Sequence, residues 1–143
     1  MAEKAASKKA GKKVLVGGVF NVVHPGHLWF LKKAKSYGDR LIVVVAHDRT
    51  VLKNKEYLLF PARERKKVIE SLDFVDKVVV GDSGDMFNVV RKEKPDIVVL
   101  GYDQNIDRKE LKKACNKTKL VRLKVKHKDY STKRLLAGCC DEA

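Results

Sequence analysis

Apolar positions along this chain fall into two kinds of run. Short unbroken stretches rich in β-branched residues, KVLVGG (13–18), RLIVVVA (40–46), KVVV (77–80) and DIVVLG (96–101), read as strands buried on both faces. Between them the apolar residues spread to helical spacing. PGHLWFLKKAKSYG (25–38) has Pro25 at a first helical position and Gly38 as C-cap, and PARERKKVIESLDF (61–74) is again opened by proline. DMFNVVRKEK (85–94) reads as a third helix and RKELKKAC (108–115) as a fourth, less strongly patterned. LVRLKV (120–125) alternates, as a strand with one wetter face does, and STKRLLAG (131–138) reads as a closing helix with Ser131 as N-cap. Strand and helix alternate without an internal repeat, which predicts an α/β fold: one doubly wound parallel sheet, Rossmann-like, with helices on both faces. Ligands of such sheets sit beyond the C-terminal ends of the strands, at the switch point.

Length and composition fit one domain, since 143 residues of which 44% are hydrophobic suffice for a core. The domain is expected over 13–138, after a disordered lysine-rich tail (1–12) and before a short tail (139–143). Cys115, Cys139 and Cys140 have no metal-ligand spacing and read as free thiols of a reducing compartment. There is no apolar leader, and no run approaches the roughly 18 apolar residues of a membrane span. A soluble, cytoplasmic protein is expected, with no membrane partner.

Charge changes the picture more. Lys and Arg number 32 against 18 acids, a net +14, with five lysines in residues 1–13 and ten basic residues against one acid in 108–128. Such a field attracts polyanions: nucleic acid, a nucleoside triphosphate or anionic lipid. The plainer alternative is a solvated basic surface. A nucleic-acid module would carry a helix-turn-helix, a zinc finger or aromatics interleaved with the basic run; none is present, so nucleic acid is not an expected partner.

The stretch GGVFNVVHPGHLWFL (17–31) narrows the choice. His24 and His27 stand three residues apart where the first strand gives way to the first helix, so both imidazoles lie on one side of a helix N-terminus. Backbone N–H groups and the helix dipole favour phosphate there, Gly17, Gly18 and Gly26 let a ligand approach the backbone, and the imidazoles add directional donors. A capping or core histidine pair is the alternative. Metal binding by the pair would need a third ligand, and none is suitably spaced, so no protein side chain is assigned to metal.

With these residues in view, GGVFNVVHPGH resembles the first signature, G-x-F-D-x-x-H-x-G-H, of the cytidylyltransferase-like nucleotidyltransferases. ERKKVIESLDFVDKVV resembles the family's Arg-led helix running into a Val-Asp pair, GYDQ (101–104) its loop after the fourth strand, and YST (130–132) its late Ser-Thr motif, so the likeness extends from Val14 to Leu136. Among its branches, HPGH, LKNK and GYDQ look most like the archaeal-type FAD synthases, which join FMN to the AMP moiety of ATP. Glycerol-3-phosphate cytidylyltransferase, which would use CTP and a small phosphate acceptor, is the closest rival.

The resemblance implies attack by a phosphate on the α-phosphorus of a nucleoside triphosphate, with pyrophosphate leaving, a divalent metal, Mg²⁺, assisting, and no covalent enzyme intermediate. His24 and His27 would donate to the transferred and leaving phosphates. Lys53 and Lys55, in the loop ahead of the 61–74 helix, would close over the polyphosphate or be ordinary surface lysines. Arg65 would contact the acceptor phosphate or orient the site. Gly17 to Asn21, with Val19 and Phe20 between, would line the nucleotide; Gly101 and Asp103 would meet its ribose, and Ser131 and Thr132 would cradle a second phosphate. Val19 and Asn21 replace the family's Thr and Asp, and Lys133 replaces a hydroxyl of the late motif. Trp29, Tyr57, Phe60 and Tyr102 are candidate rings for a flavin, Trp29 being also a natural core residue. Dimers are usual in families that resemble this one, and a homodimer is admitted on that ground. A non-catalytic nucleotide sensor on the same fold would bind without releasing pyrophosphate, and the intact HxGH and Ser-Thr motifs speak against it.

Overall fold

In the computed structural model, which describes residues 11–54, 58–83, 87–101 and 104–123, the predicted strands join one parallel sheet. β1 (Lys13–Gly18), β2 (Arg40–Val45), β3 (Lys77–Val80), β4 (Ile97–Leu100) and β5 (Lys119–Arg122) lie in the order β3-β2-β1-β4-β5. From central β1 the chain adds β2 and β3 on one side, then returns to add β4 and β5 on the other. The order therefore reverses between β1 and β4, the place where ligands of such sheets bind.

Side-chain alternation explains the unbroken apolar runs. Val14, Val16, Val43, Val45 and Val99 pack on one face with α1 (Pro25–Lys35) and α3 (Ala62–Glu70). Leu15, Ile42, Val98 and Leu100 pack on the other with α4 (Asn88–Glu93) and α5 (Arg108–Ala114). Each fully buried valine or leucine contributes roughly 1.5–3 kcal/mol, so a two-sided core fixes the strand register strongly.

Several boundaries differ from expectation. α1 stops at Lys35 with Ser36 as C-cap; Gly38 is needed because a Cβ there would lie 2.7 Å from the Lys12 carbonyl oxygen. Gly11 and Lys12, expected in the tail, belong to the domain: the Gly11 N–H donates to Asp39, and the Lys12 carbonyl accepts from the Asp39 and Arg40 N–H groups. A short helix, α2 (Asp48–Lys53), stands where a loop was expected. The closing helix over 131–138, the 139–143 tail and residues 1–10 lie outside the described residues.

Candidate active site at the switch point

β1 ends in a tight turn. Phe20 adopts φ 55°, a left-handed conformation uncommon for a bulky residue, and its buried ring folds back beneath Gly18. A Cβ on Gly18 would stand 2.8 Å from that ring, so only glycine fits; a Cβ on Gly17 would make ordinary contacts with Val44. The same ring meets His27 edge-on at 5.2 Å.

Both histidines then shape the start of α1. His24 is its N-cap and Pro25 its first residue; His24 Nδ1 accepts the Gly26 N–H at 3.1 Å, and His27 Nδ1 accepts the His24 N–H at 3.3 Å. Nδ1 of each ring is thus an acceptor, which assigns the proton of each neutral imidazole to Nε2. The rings stack with centroids 3.8 Å apart. Burial lowers the pKa of His24. His27 is pushed down to about 4, chiefly by burial and further by His24, with the Val22 backbone opposing. At neutral pH the pair is two uncharged donors at a helix N-terminus. The capping set out as one alternative on sequence uses the Nδ1 atom of each ring.

Arg65 ties the neighbouring segments together. It is 1% exposed, and its guanidinium donates to the Val19 carbonyl at 2.9 Å, the Phe60 carbonyl at 2.8 Å and Asp48 Oδ1 at 2.6 Å. The same Asp48 oxygen accepts the Ala62 N–H at 2.8 Å. All three of these guanidinium bonds go to protein acceptors, which join the turn after β1 to the starts of α2 and α3. Asn21, expected to line the nucleotide, uses Oδ1 to accept the Leu59 N–H at 3.1 Å. Lys53 is the exposed last residue of α2, which corrects its placement in the loop ahead of the 61–74 helix. Trp29, a half-buried residue of α1, packs against the core, the alternative place expected for it.

Across the switch point, Gly101 follows β4, and Gln104 links the two strand ends. Its Oε1 accepts the Gly101 N–H at 2.8 Å and its Nε2 donates to the Gly17 carbonyl at 3.0 Å. Gln104 and Asp48 were not singled out on sequence. The signal for Gln104 was its place in GYDQ, directly after a buried strand; Asp48 was hidden because α2 is capped by His47, whose Nδ1 accepts the Arg49 N–H at 3.0 Å, whereas cap signatures favour Ser, Thr, Asp and Asn. Lys55, Asp103, Ser131, Thr132, Tyr57 and Tyr102 lie outside the described residues.

A helix start carrying two imidazoles, beside a turn in which Phe20 takes a positive φ and at the switch point of a 3-2-1-4-5 parallel sheet, is the frame of a Rossmann-like α/β protein. The chain belongs to the cytidylyltransferase-like family, whose model matches residues 15–136. It is 43% identical over 119 residues to an FAD synthase of Ferroglobus placidus, covering 80% of this chain and 78% of that one. To FAD synthases of Aciduliprofundum boonei and Pyrococcus abyssi it is 45% and 42% identical, over 78% and 85% of this chain and 78% and 86% of theirs. A solved Thermoplasma volcanium structure, described as a lipopolysaccharide core biosynthesis protein, superposes with a TM-score of 0.74 at 41% identity, over 81% of this chain and 98% of that one. Pantoate-β-alanine ligase of Francisella tularensis shares the fold, with a TM-score of 0.53 at 18% identity over 92% of this chain and 70% of that one.

Proposed function

We propose that this chain transfers AMP from ATP to the phosphate of FMN, giving FAD and pyrophosphate. The observation that carries the reading is the stacked, uncharged His24–His27 pair at the start of α1, in a chain 42–45% identical to these FAD synthases over most of its length. A phosphate oxygen of FMN attacks the α-phosphorus, forming a new P–O bond as the bond to the bridging oxygen of pyrophosphate breaks. Catalysis of such a displacement is positioning and charge stabilisation. The two Nε2–H groups supply donors that strengthen as negative charge grows on the transferred and leaving phosphates, and the glycine turn lets the polyphosphate approach the backbone.

The resemblance assigns further roles in this reading: Lys53 and Lys55 would close over the polyphosphate, Gly101 and Asp103 would meet the ribose, and Ser131 with Thr132 would form a second phosphate cradle. Leu59 and Phe60 favour FMN as acceptor. They are 43% and 49% exposed, and the Leu59 N–H donating to Asn21 and Arg65 donating to the Phe60 carbonyl fasten this apolar pair to the histidine turn, where a flavin ring can rest. A divalent metal is the expected cofactor. Among the described residues no group of three or more His, Cys, Asp or Glu is placed to hold one, and Asp48 is engaged by Arg65 and Ala62; bound to the triphosphate, the metal would neutralise part of its charge. Among the described residues no helix is long and apolar enough to cross a membrane.

Chromatography of a reaction with FMN, ATP and Mg²⁺ tests the reading: FAD forms, and riboflavin, which lacks the phosphate nucleophile, gives no product. Phe60→Ala raises KM for FMN several-fold while KM for ATP holds. A CDP-linked product from CTP and glycerol 3-phosphate, with no FAD under any metal, would transfer the assignment to the cytidylyltransferase branch.

A further inference from the structure

β1 and β2 stay paired to their last residues, Gly18 opposite Val45, and the Ala46 N–H extends the ladder to the Gly18 carbonyl at 2.9 Å. On its other side β1 pairs with β4 only through Val14 opposite Ile97 and Leu15 opposite Val98. Carried two residues further, that register brings Gly17 opposite Leu100, and a parallel ladder would then join the Gly101 N–H to the Gly17 carbonyl. The Gln104 carboxamide occupies this rung instead. It accepts from the Gly101 N–H and donates to the Gly17 carbonyl, the two groups a direct bond would have joined.

A primary amide presents an acceptor and a donor much as a peptide unit does. One extra amide is thus spliced into the sheet, and two strand ends that a direct bond would hold about 2.9 Å apart, N to O, are parted by the width of a carboxamide. The splice is braced from β5. Arg122 donates to the Gln104 carbonyl, to the Gly101 carbonyl at 3.4 Å and to Asn105 Oδ1 at 3.2 Å, while the Gln104 N–H returns to the Gly101 carbonyl at 3.2 Å. The opening it props lies at the switch point, with Gly17 leading into the histidine turn on one side and Gly101 on the other.

We infer that Gln104 is a positioning residue for the nucleotide: its side chain holds the ends of β1 and β4 apart and so sets the width of the slot that ATP enters. The inference rests on the adenylyl-transfer reading, which supplies the ligand. Gln104→Met keeps the length of the side chain and makes neither bond, so the strands close onto the direct rung. Gln104→Glu keeps the bond from Gly101 but sets a carboxylate oxygen against the Gly17 carbonyl.

Calorimetric titration of the full chain with α,β-methylene-ATP and Mg²⁺ reads the slot without turnover. For both variants the dissociation constant rises about tenfold or more. KM for FMN stays within a factor of two, and the melting temperature of Gln104→Met stays within about 3 °C of wild type because the direct rung replaces the lost bonds. If Gln104→Met does not fold, Gln104→Glu decides. Folded variants that bind the analogue as tightly as wild type, or that lose only kcat, overturn the role of Gln104 and leave adenylyl transfer standing. A wild-type chain that does not bind the analogue overturns the reading beneath it as well.

Discussion

Where the strands of the sheet begin, carboxylates close the ladder: Asp96 accepts the Lys13 N–H at 2.8 Å, Asp76 the Leu41 N–H at 2.7 Å, and Asp39 the Gly11 N–H. Lysines neutralise this edge, Lys35 on Asp76 at 2.6 Å, Lys117 on Asp96 at 3.4 Å, and Lys77 with Lys13 on Glu93. Where the strands finish, the same backbone needs are met by Gln104, Asn21, Arg65 and two imidazoles, and Asp48 is held by Arg65. A carboxylate is the strongest side-chain acceptor for a strand's leading N–H, yet beside a triphosphate it would repel the substrate. Asp96, Asp76 and Asp39 lie at the edge away from the histidine turn, and the carboxylate at the finishing edge, Asp48, is engaged by Arg65 and the Ala62 N–H.

The largest effects break the finishing edge. Replacing His24 or His27 by Ala removes a donor that strengthens in the transition state, a loss on the order of 3 kcal/mol or a hundredfold and more in kcat. Alanine also removes a cap worth about 1 kcal/mol, so stability falls with it. His24→Asn separates the two: an Asn cap restores melting to near wild type, while turnover stays as low as in the alanine variant. Full turnover in His24→Asn would mean that the ring acts only as a cap.

Arg65 comes next. Arg65→Met takes the guanidinium from the Val19 and Phe60 carbonyls and from Asp48, which keeps only the Ala62 N–H of its two donors, and loss of a buried partner costs up to about 3 kcal/mol once the exposure of Asp48, 36%, is discounted. Denaturant unfolding measures it. Because Arg65 touches the turn through Val19, Arg65→Lys, which cannot reach three acceptors at once, should lower kcat more than its smaller stability loss explains. An equal loss from disabling the beginning edge would show that the two ends do not divide the work.

What was legible from sequence follows the same division. The strands and the histidine turn could be read because each is set by local rules: unbroken β-branched runs for two-sided burial, and Pro25 with paired glycines for a helix start after a strand. α2 escaped because histidine is not a usual cap, and Lys53 was misplaced with it. The partners of Arg65 were not legible because an Arg-led motif does not reveal which groups its guanidinium meets: two carbonyls and one carboxylate, of which Val19 and Asp48 are distant in sequence. Gln104 escaped as a role because a side chain replacing a ladder bond depends on the register of β1 and β4, which arises only when residues 17 and 101 meet in space.

Acid separates the ends in a second way. His27 is held at about 4, below its ordinary 6.5, so the unfolded chain binds the proton first and stability falls as pH drops through that interval. At pH 5.5 the loss is about 1.4 kcal/mol relative to pH 8. Asp96 and Glu93 are also lowered, by the Lys13 N–H and by the Lys77 bond respectively, so their contribution is complete above the ordinary carboxylate range and is lost only below it. Unfolding free energy against pH therefore declines in two limbs, and His27→Gln shrinks the upper one to the part that the lowered His24 contributes. A saturating triphosphate moves that limb as well, since its charge favours the imidazolium and raises the bound-state pKa.

Asp96→Asn is the smallest and most selective change, because it alters the beginning edge without touching the finishing one. The amide oxygen of Asn still accepts the Lys13 N–H, so the strand start stays capped; what is lost is the charge that strengthens that bond and faces Lys117 at 3.4 Å. A charge-assisted bond exceeds a neutral one by about 1 kcal/mol, and the exposed Lys117 pair adds little, so stability at pH 7 falls by about 1 kcal/mol or less. That difference shrinks below the carboxylate range, where the wild-type Asp96 is itself protonated, so the two unfolding curves converge in acid. Both KM values and kcat remain at wild type. A fall in turnover beyond what the loss of folded protein explains would mean that charge at the starting edge reaches the site through the length of β1.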